Sequence, residues 1–99
     1  MASRYLVSGG SSTAWSNTSN WSATDGGASG ASAPTASDDV YINSNSGNAP
    51  IALTSGACLS LTVSGTYTGT ISGSGSFTSS GSITFIAGIN YTATSTIIF

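Results

Sequence analysis

From Ile51 onward, apolar residues alternate with small or polar ones in short bursts. Ile51 and Leu53 form one burst and Leu59, Leu61 and Val63 the next; glycine turns follow at Ser55-Gly56 and Ser64-Gly65. A period of two over three to five residues predicts strands with one buried face. Gly/Ser pairs at this spacing predict the turns between them. Further short strands are predicted around Tyr67 to Ile71, Gly75 to Phe77, Ser82 to Ile86 and Tyr91 to Phe99. Upstream, Arg4-Tyr5-Leu6-Val7 reads as a strand closed by Ser8-Gly9-Gly10, and Val40-Tyr41-Ile42 as another that stops in the polar cluster Asn43 to Asn48. Residues 25 to 39 read as a loop in which glycines permit positive φ, Pro34 fixes φ, and Asp38 accepts from nearby backbone amides. Between these segments, Trp15 and Trp21 stand among small polar residues with neither a helical nor an alternating period.

Helix is not expected. Glu, Gln and Lys are absent, and Gly, Ser, Thr and Asn lower helix propensity in almost every window. Short strands separated by Gly/Ser turns predict an all-β fold, either a β-solenoid-like module (a β-helix) or a β-sandwich or jelly roll. Two regions are expected. Residues 1–43 form an amino-terminal capping or attachment region, and residues 44–99 form short-strand coils that would continue in any chain beyond residue 99. The two tryptophans are expected to plug one end of the β structure, since each ring supplies apolar area that its neighbours lack.

More than a third of the 99 residues are Ser or Thr. Ser/Gly-rich tracts are often disordered, but disordered chains carry high net charge and few β-branched or aromatic residues. Here the net charge is −2 and the second half is dense in Ile, Val, Thr, Phe and Tyr, so folding is favoured. Ordering costs roughly 1.5 kcal/mol per residue, against ~25 cal/mol per Å² of buried apolar surface. A chain this small therefore calls for support from copies of itself, from a partner protein, or from further chain beyond Phe99. Cys58 is the sole cysteine, so no internal disulfide can supply that support, and it is expected to be a small buried hydrophobe. Thr96-Ile97-Ile98-Phe99 is an apolar β stretch with no charge or proline to guard it, which predicts an edge covered either by further coils of the chain or by a neighbour paired with Ile97 to Phe99.

Arg4, Asp25, Asp38 and Asp39 are the only formally charged side chains. One basic residue does not neutralise a phosphate backbone, so no nucleic-acid partner is expected. No apolar run approaches the ~20 residues of a membrane span, so no membrane partner is expected. The first eight residues hold too short an apolar segment for a secretory signal, so either a signal has been removed or the protein leaves its producer without one; a virion component released by lysis meets the second condition naturally. With no His and no Glu, the carboxylates are Asp25, Asp38 and Asp39. Asp38 and Asp39 are adjacent and would point to opposite faces of a strand rather than share a substrate. Asp38, Asp39, Asn43 and Asn45 are hard oxygen donors, but they lack the EF-hand or nonapeptide spacing of a calcium site. No catalytic residue, metal or cofactor is expected, and the chain is read as not an enzyme. Three Asn-x-Ser/Thr triplets, at Asn17, Asn20 and Asn90, follow from composition.

The stretch Arg4-Tyr5-Leu6-Val7-Ser8-Gly9-Gly10, then Trp15-Ser16-Asn17-Thr18-Ser19-Asn20-Trp21-Ser22, Ala33-Pro34-Thr35 and Asp38-Asp39-Val40-Tyr41-Ile42, resembles a known region. It is similar to the amino-terminal part of phage tail and virion surface proteins, and of bacterial surface proteins, that precedes a β-helical body. Leu6 stands where that family commonly has an aromatic. The resemblance covers roughly residues 3 to 43. It implies that Trp15 and Trp21 are structural caps, that Pro34 sets the loop and that Asp38-Asp39 makes the turn into the first coil; it brings no catalytic residues.

The expected function is therefore a structural component of a phage virion, a tail or head appendage or a decoration protein, acting through multimeric assembly. Its partners would be copies of itself and other virion or surface proteins. One alternative is a carbohydrate- or receptor-binding adhesin module that stacks a host surface glycan on Trp15, Trp21 or Tyr41. Another is a self-assembling extracellular fibre protein. The expected location is the virion, with the extracellular space or cell surface as the alternative.

Overall fold

The computed structural model describes residues 2–7, 13–86 and 89–99; the expected Ser8-Gly9-Gly10 turn lies outside them. Among the described residues, eleven short strands occur in chain order. They are β1 (Ser3–Leu6), β2 (Trp21–Ser22), β3 (Asp39–Ile42), β4 (Ile51–Ala52), β5 (Ala57–Cys58), β6 (Ser60–Val63), β7 (Thr70–Ser72), β8 (Ser76–Ser79), β9 (Ile83–Thr84), β10 (Asn90–Tyr91) and β11 (Thr96–Ile98). The fold is all-β, with one sheet ordered β2-β1-β3-β6-β9 and two smaller ones ordered β10-β7-β4 and β11-β8-β5. Among the described residues, only β1 and β2 pair antiparallel; the other pairings are parallel.

From β3 onward the partners are regularly spaced along the chain. Asp39 lies beside Ser60, Thr70 beside Asn90 and Ser44 beside Thr66, with side-chain hydrogen bonds across offsets of 21, 20 and 22 residues. The strands thus form three tiers: β3 to β5, β6 to β8, and β9 to β11. Alternation turns one row of each strand inward. Val40, Leu61 and Ile83 are in register on the large sheet, Ile51, Ile71 and Tyr91 on the second, and Phe77 and Ile97 on the third. Val40, Leu61, Ile51, Ile71 and Phe77 are fully buried, together with Leu53 and Cys58. β3, within the expected capping region, pairs directly with β1 and β6, and a single apolar cluster runs from Leu6 and the tryptophans to Phe77.

Local chemistry departs from the sequence expectation in three places. Two single 3-10 turns, Thr18–Asn20 and Ser44–Ser46, form where no helix was predicted; Asn17 and Asn43 cap them by accepting from the amides of Ser19 and Asn45. The strand expected from Tyr67 is Thr70–Ser72 instead. Tyr67 follows the turn at Gly65-Thr66, outside any strand, and reaches inward, its hydroxyl donating to the Ala49 carbonyl at 2.7 Å. Finally, the segment from Tyr91 to Phe99 is two strands rather than one.

Candidate functional site: one closed end and one open edge

The two ends of the tiers differ. At the first tier, further backbone meets the edges of the large sheet and of the second sheet. The Trp21 carbonyl, on the outermost strand of the large sheet, accepts from Ala31 N at 3.1 Å. On the second sheet, Ala52 N donates to the Thr13 carbonyl at 2.9 Å. Leu59 N donates to the Asp38 carbonyl at 2.7 Å, extending the β3–β6 pairing by one residue, while the outer side of β5 has no backbone partner among the described residues.

Aromatic rings fill the space beneath. Trp15 meets Trp21 edge-on with centroids 4.8 Å apart and Phe77 with centroids 4.9 Å apart. The Trp21 indole N–H donates to the Trp15 carbonyl at 2.8 Å, and that of Trp15 to the Pro34 carbonyl at 3.4 Å. A buried indole with a satisfied N–H is the arrangement expected of a structural ring. Gly56 lies against this group; a Cβ there would come 2.8 Å from Trp15 Cγ and 2.9 Å from Phe77 Cε1.

At the third tier the edge is open. Thr92, Thr94 and Thr96 donate back to the carbonyls of Ile71, Gly73 and Gly75. In a parallel ladder alternate residues bond to opposite neighbours, so the amides of Tyr91 and Ile97 face away from the second tier. Among the described residues, none pairs with the outer sides of β9, β10 and β11. Side chains follow the same division. Among the described residues, Phe85, Tyr91, Ile98 and Phe99 are the exposed large hydrophobics, at 39, 37, 45 and 77 % accessibility, and all four belong to this tier. Tyr91 is in register with Ile71, which is fully buried one tier earlier. The Phe85 and Tyr91 rings pack at 5.2 Å across the open side. No charged residue occurs after Asp39, so this apolar edge has no charged neighbour in its own tier.

Of the three positions expected for sugar stacking, Trp15 and Trp21 are buried. A hollow of about 360 Å³ opens beside Trp15, lined by Ala14, Trp15, Ser16, Ala52, Thr54 and Ser55, with no ionisable side chain. Tyr41 is half-buried on the outer face of the large sheet, where one ring face is covered by Tyr5 at 5.1 Å and an interplanar angle of 20°. The structure does not bring the three rings together on one surface.

The carboxylates do not converge either. Asp25 accepts from the side-chain amides of Asn43 and Asn45, both at 3.1 Å. Asp39 accepts from the Ser60 hydroxyl at 2.6 Å. Asp38 is buried and accepts from the Thr35 amide at 2.8 Å and the Thr35 hydroxyl at 3.2 Å. The Thr35 amide is the main reason its carboxyl is held below the usual value of 3.8. Burial raises the Cys58 thiol and pushes the Tyr67 hydroxyl up to about 12.

The sequence pointed to the open edge at Thr96 to Phe99, but Phe85 and Tyr91 were missed as members of it. Their signal is the spacing of about 20 residues that aligns Tyr91 with Ile71. It becomes readable once the period between tiers is known. No helix among the described residues is long and apolar enough to cross a membrane. No protein-family model, curated protein or solved structure matches the chain.

Proposed function

We propose that this chain is a structural component of a phage virion, a tail or head appendage or a decoration protein, that works through multimeric assembly. The observation that carries the reading is the third-tier edge, where apolar side chains and outward-facing amides lie together without charge. Edges of this kind are templates for pairing with further polypeptide. Pairing would remove little hydrated charge, so its desolvation cost is small. The same reading treats the three sheets as faces of a short β-solenoid. Supporting it are the parallel pairings and the recurrence of partners every 20 to 22 residues; sandwiches and jelly rolls pair their strands antiparallel. Placement in a virion is supported by the resemblance of residues 3 to 43, and its partners would be copies of itself and other virion proteins.

The test is mass spectrometry of purified particles released from the host that encodes the chain. Peptides of this protein are expected in the particle fraction at a fixed ratio to the major particle protein. Recovery only in the particle-free supernatant overturns the proposal.

A further inference from the structure

The hollow beside Trp15 lies at the first tier, where two segments far apart in sequence form one wall. Ala14, Trp15 and Ser16 make one side, and Ala52, Thr54 and Ser55, from the end of β4 and the turn after it, make the other. The bond from Ala52 N to the Thr13 carbonyl holds the two sides together.

The backbone at Ser55 is unusual. Among the described residues it is the one side-chain-bearing position in the left-handed region, at φ 54°. Glycine takes this conformation without a Cβ penalty. Twenty residues on, at the equivalent turn of the second tier, Gly75 takes it with φ 81°. The first tier thus keeps a serine where the second has glycine, and the backbone penalty it bears leaves a hydroxyl on the wall of the hollow. Strained residues of this kind cluster at ligand sites.

The lining restricts the chemistry of what fits. No ionisable side chain faces the hollow, so a charged ligand would be desolvated without a counter-charge. A wholly apolar ligand would match the methyl groups of Ala14 and Ala52 but cover the hydroxyls of Ser16, Thr54 and Ser55 without bonding them. Thr54 Oγ1 already accepts from the Ser74 amide at 3.1 Å, which leaves its proton for a ligand oxygen. A ring with an apolar C–H side and several hydroxyls satisfies both halves of the wall. A volume of about 360 Å³, at ~30 Å³ per water, corresponds to about twelve non-hydrogen atoms, the size of one hexose.

We propose that this hollow binds a single neutral hexose through the hydroxyls of Ser16, Thr54 and Ser55 and the methyl groups of Ala14 and Ala52. Trp15 is buried and offers no open stacking face, so recognition differs from the ring stacking expected from residue type. Binding here does not require assembly of the chain.

The experiment is a titration of the 99-residue chain with D-glucose, D-galactose, D-mannose and N-acetyl-D-glucosamine, followed by amide chemical shifts. At least one of these sugars is expected to give saturable shifts centred on residues 14–16 and 52–55, with Kd on the order of 1 mM for a ligand of this size. Cyclohexanol, which lacks most of the hydroxyls, and glucuronate, which adds a charge, should each bind at least about tenfold more weakly than the best sugar. Ser55→Gly removes the hydroxyl together with the left-handed penalty. It should weaken sugar binding about fivefold or more without lowering the urea midpoint, a combination that a merely structural serine would not give. Ala52→Phe fills the hollow and should abolish the shifts; should that variant fail to fold, Ser55→Gly decides. The proposal is overturned by the absence of saturable shifts with all of these sugars, by shifts centred elsewhere, or by undiminished binding in Ser55→Gly. Cyclohexanol or glucuronate binding as tightly as the best sugar overturns it as well.

Discussion

Gly56→Ala tests how the closed end is built, because one added methyl group must enter the space between two rings. The new Cβ would sit 2.8 Å from Trp15 Cγ and 2.9 Å from Phe77 Cε1. Both atoms belong to rigid, buried rings rather than to flexible side-chain ends. Overpacking of this kind costs about 1–3 kcal/mol. Gly56 does not lie in the left-handed region, so alanine would also restrict the unfolded chain, a gain of about 0.4–1 kcal/mol. The net expectation is a loss on the order of 1–2 kcal/mol, a fall in Tm of roughly 4–8 °C per kcal/mol for a domain of this size. Urea titration followed by tryptophan fluorescence reads it as a lower midpoint at unchanged slope. Phe77→Leu removes one of the two obstructing rings. Combined with Gly56→Ala it should destabilise by less than the two single changes added, with a favourable interaction of at least about 0.5 kcal/mol. If Gly56→Ala is as stable as the parent, or the pair is strictly additive, the ring cluster is not assembled around Gly56 as described.

Two further predictions concern titrating groups. Tyr67 is buried with its hydroxyl held near 12, whereas in the unfolded chain it ionises near 10. Between those values the unfolded state has lost the proton that the folded state keeps, so stability falls as pH rises from about 10 to 12, by up to about 2–3 kcal/mol. Tyr67→Phe should remove that loss while costing about 1–2 kcal/mol at neutral pH, because the Ala49 carbonyl loses its donor; equal alkaline slopes in the two proteins would refute the assignment. Asp38 has the opposite sign. Its lowered value contributes stability that is present above 3.8 and is lost as pH falls through the folded value. Asp38→Asn should flatten the acid limb of the stability curve, as read by urea midpoints across pH, and an unchanged limb would place the acid sensitivity elsewhere.

Much of the β content was readable because it depends on local alternation. Val40-Tyr41-Ile42 and Leu61-Thr62-Val63 put every second residue inward, and β3 and β6 form there, whereas Leu59, expected in the same burst, precedes β6 and is half-buried. The burial of Trp15, Trp21 and Cys58, and the local capping by Asp38, followed from side-chain size and polarity in the same way. What local pattern could not give was pairing. Strand partners lie 20 to 22 residues apart, beyond any window in which alternation is visible. The turn residues between them are too uniform in Ser, Thr and Gly to mark the period. Tyr67 illustrates the limit: its aromatic β propensity suggested a strand, yet its position is set by a hydrogen bond to Ala49 in the preceding tier. Sugar stacking by Trp15, Trp21 and Tyr41 was a proposal from residue type alone. Where each ring lies depends on tertiary contacts, and these bury two of the rings and lay Tyr5 on the third.

The spacing between tiers also fixes how this polypeptide uses its length. In an α-helix, 20 residues reach about 30 Å; on the proposed solenoid reading a similar number raises the body by one strand separation, ~4.8 Å. The chain thus converts contour into breadth, giving a squat block with wide neutral faces. Inserting a whole period would make the block taller without disturbing the tryptophan plug. Inserting half of one would turn the buried row out into water.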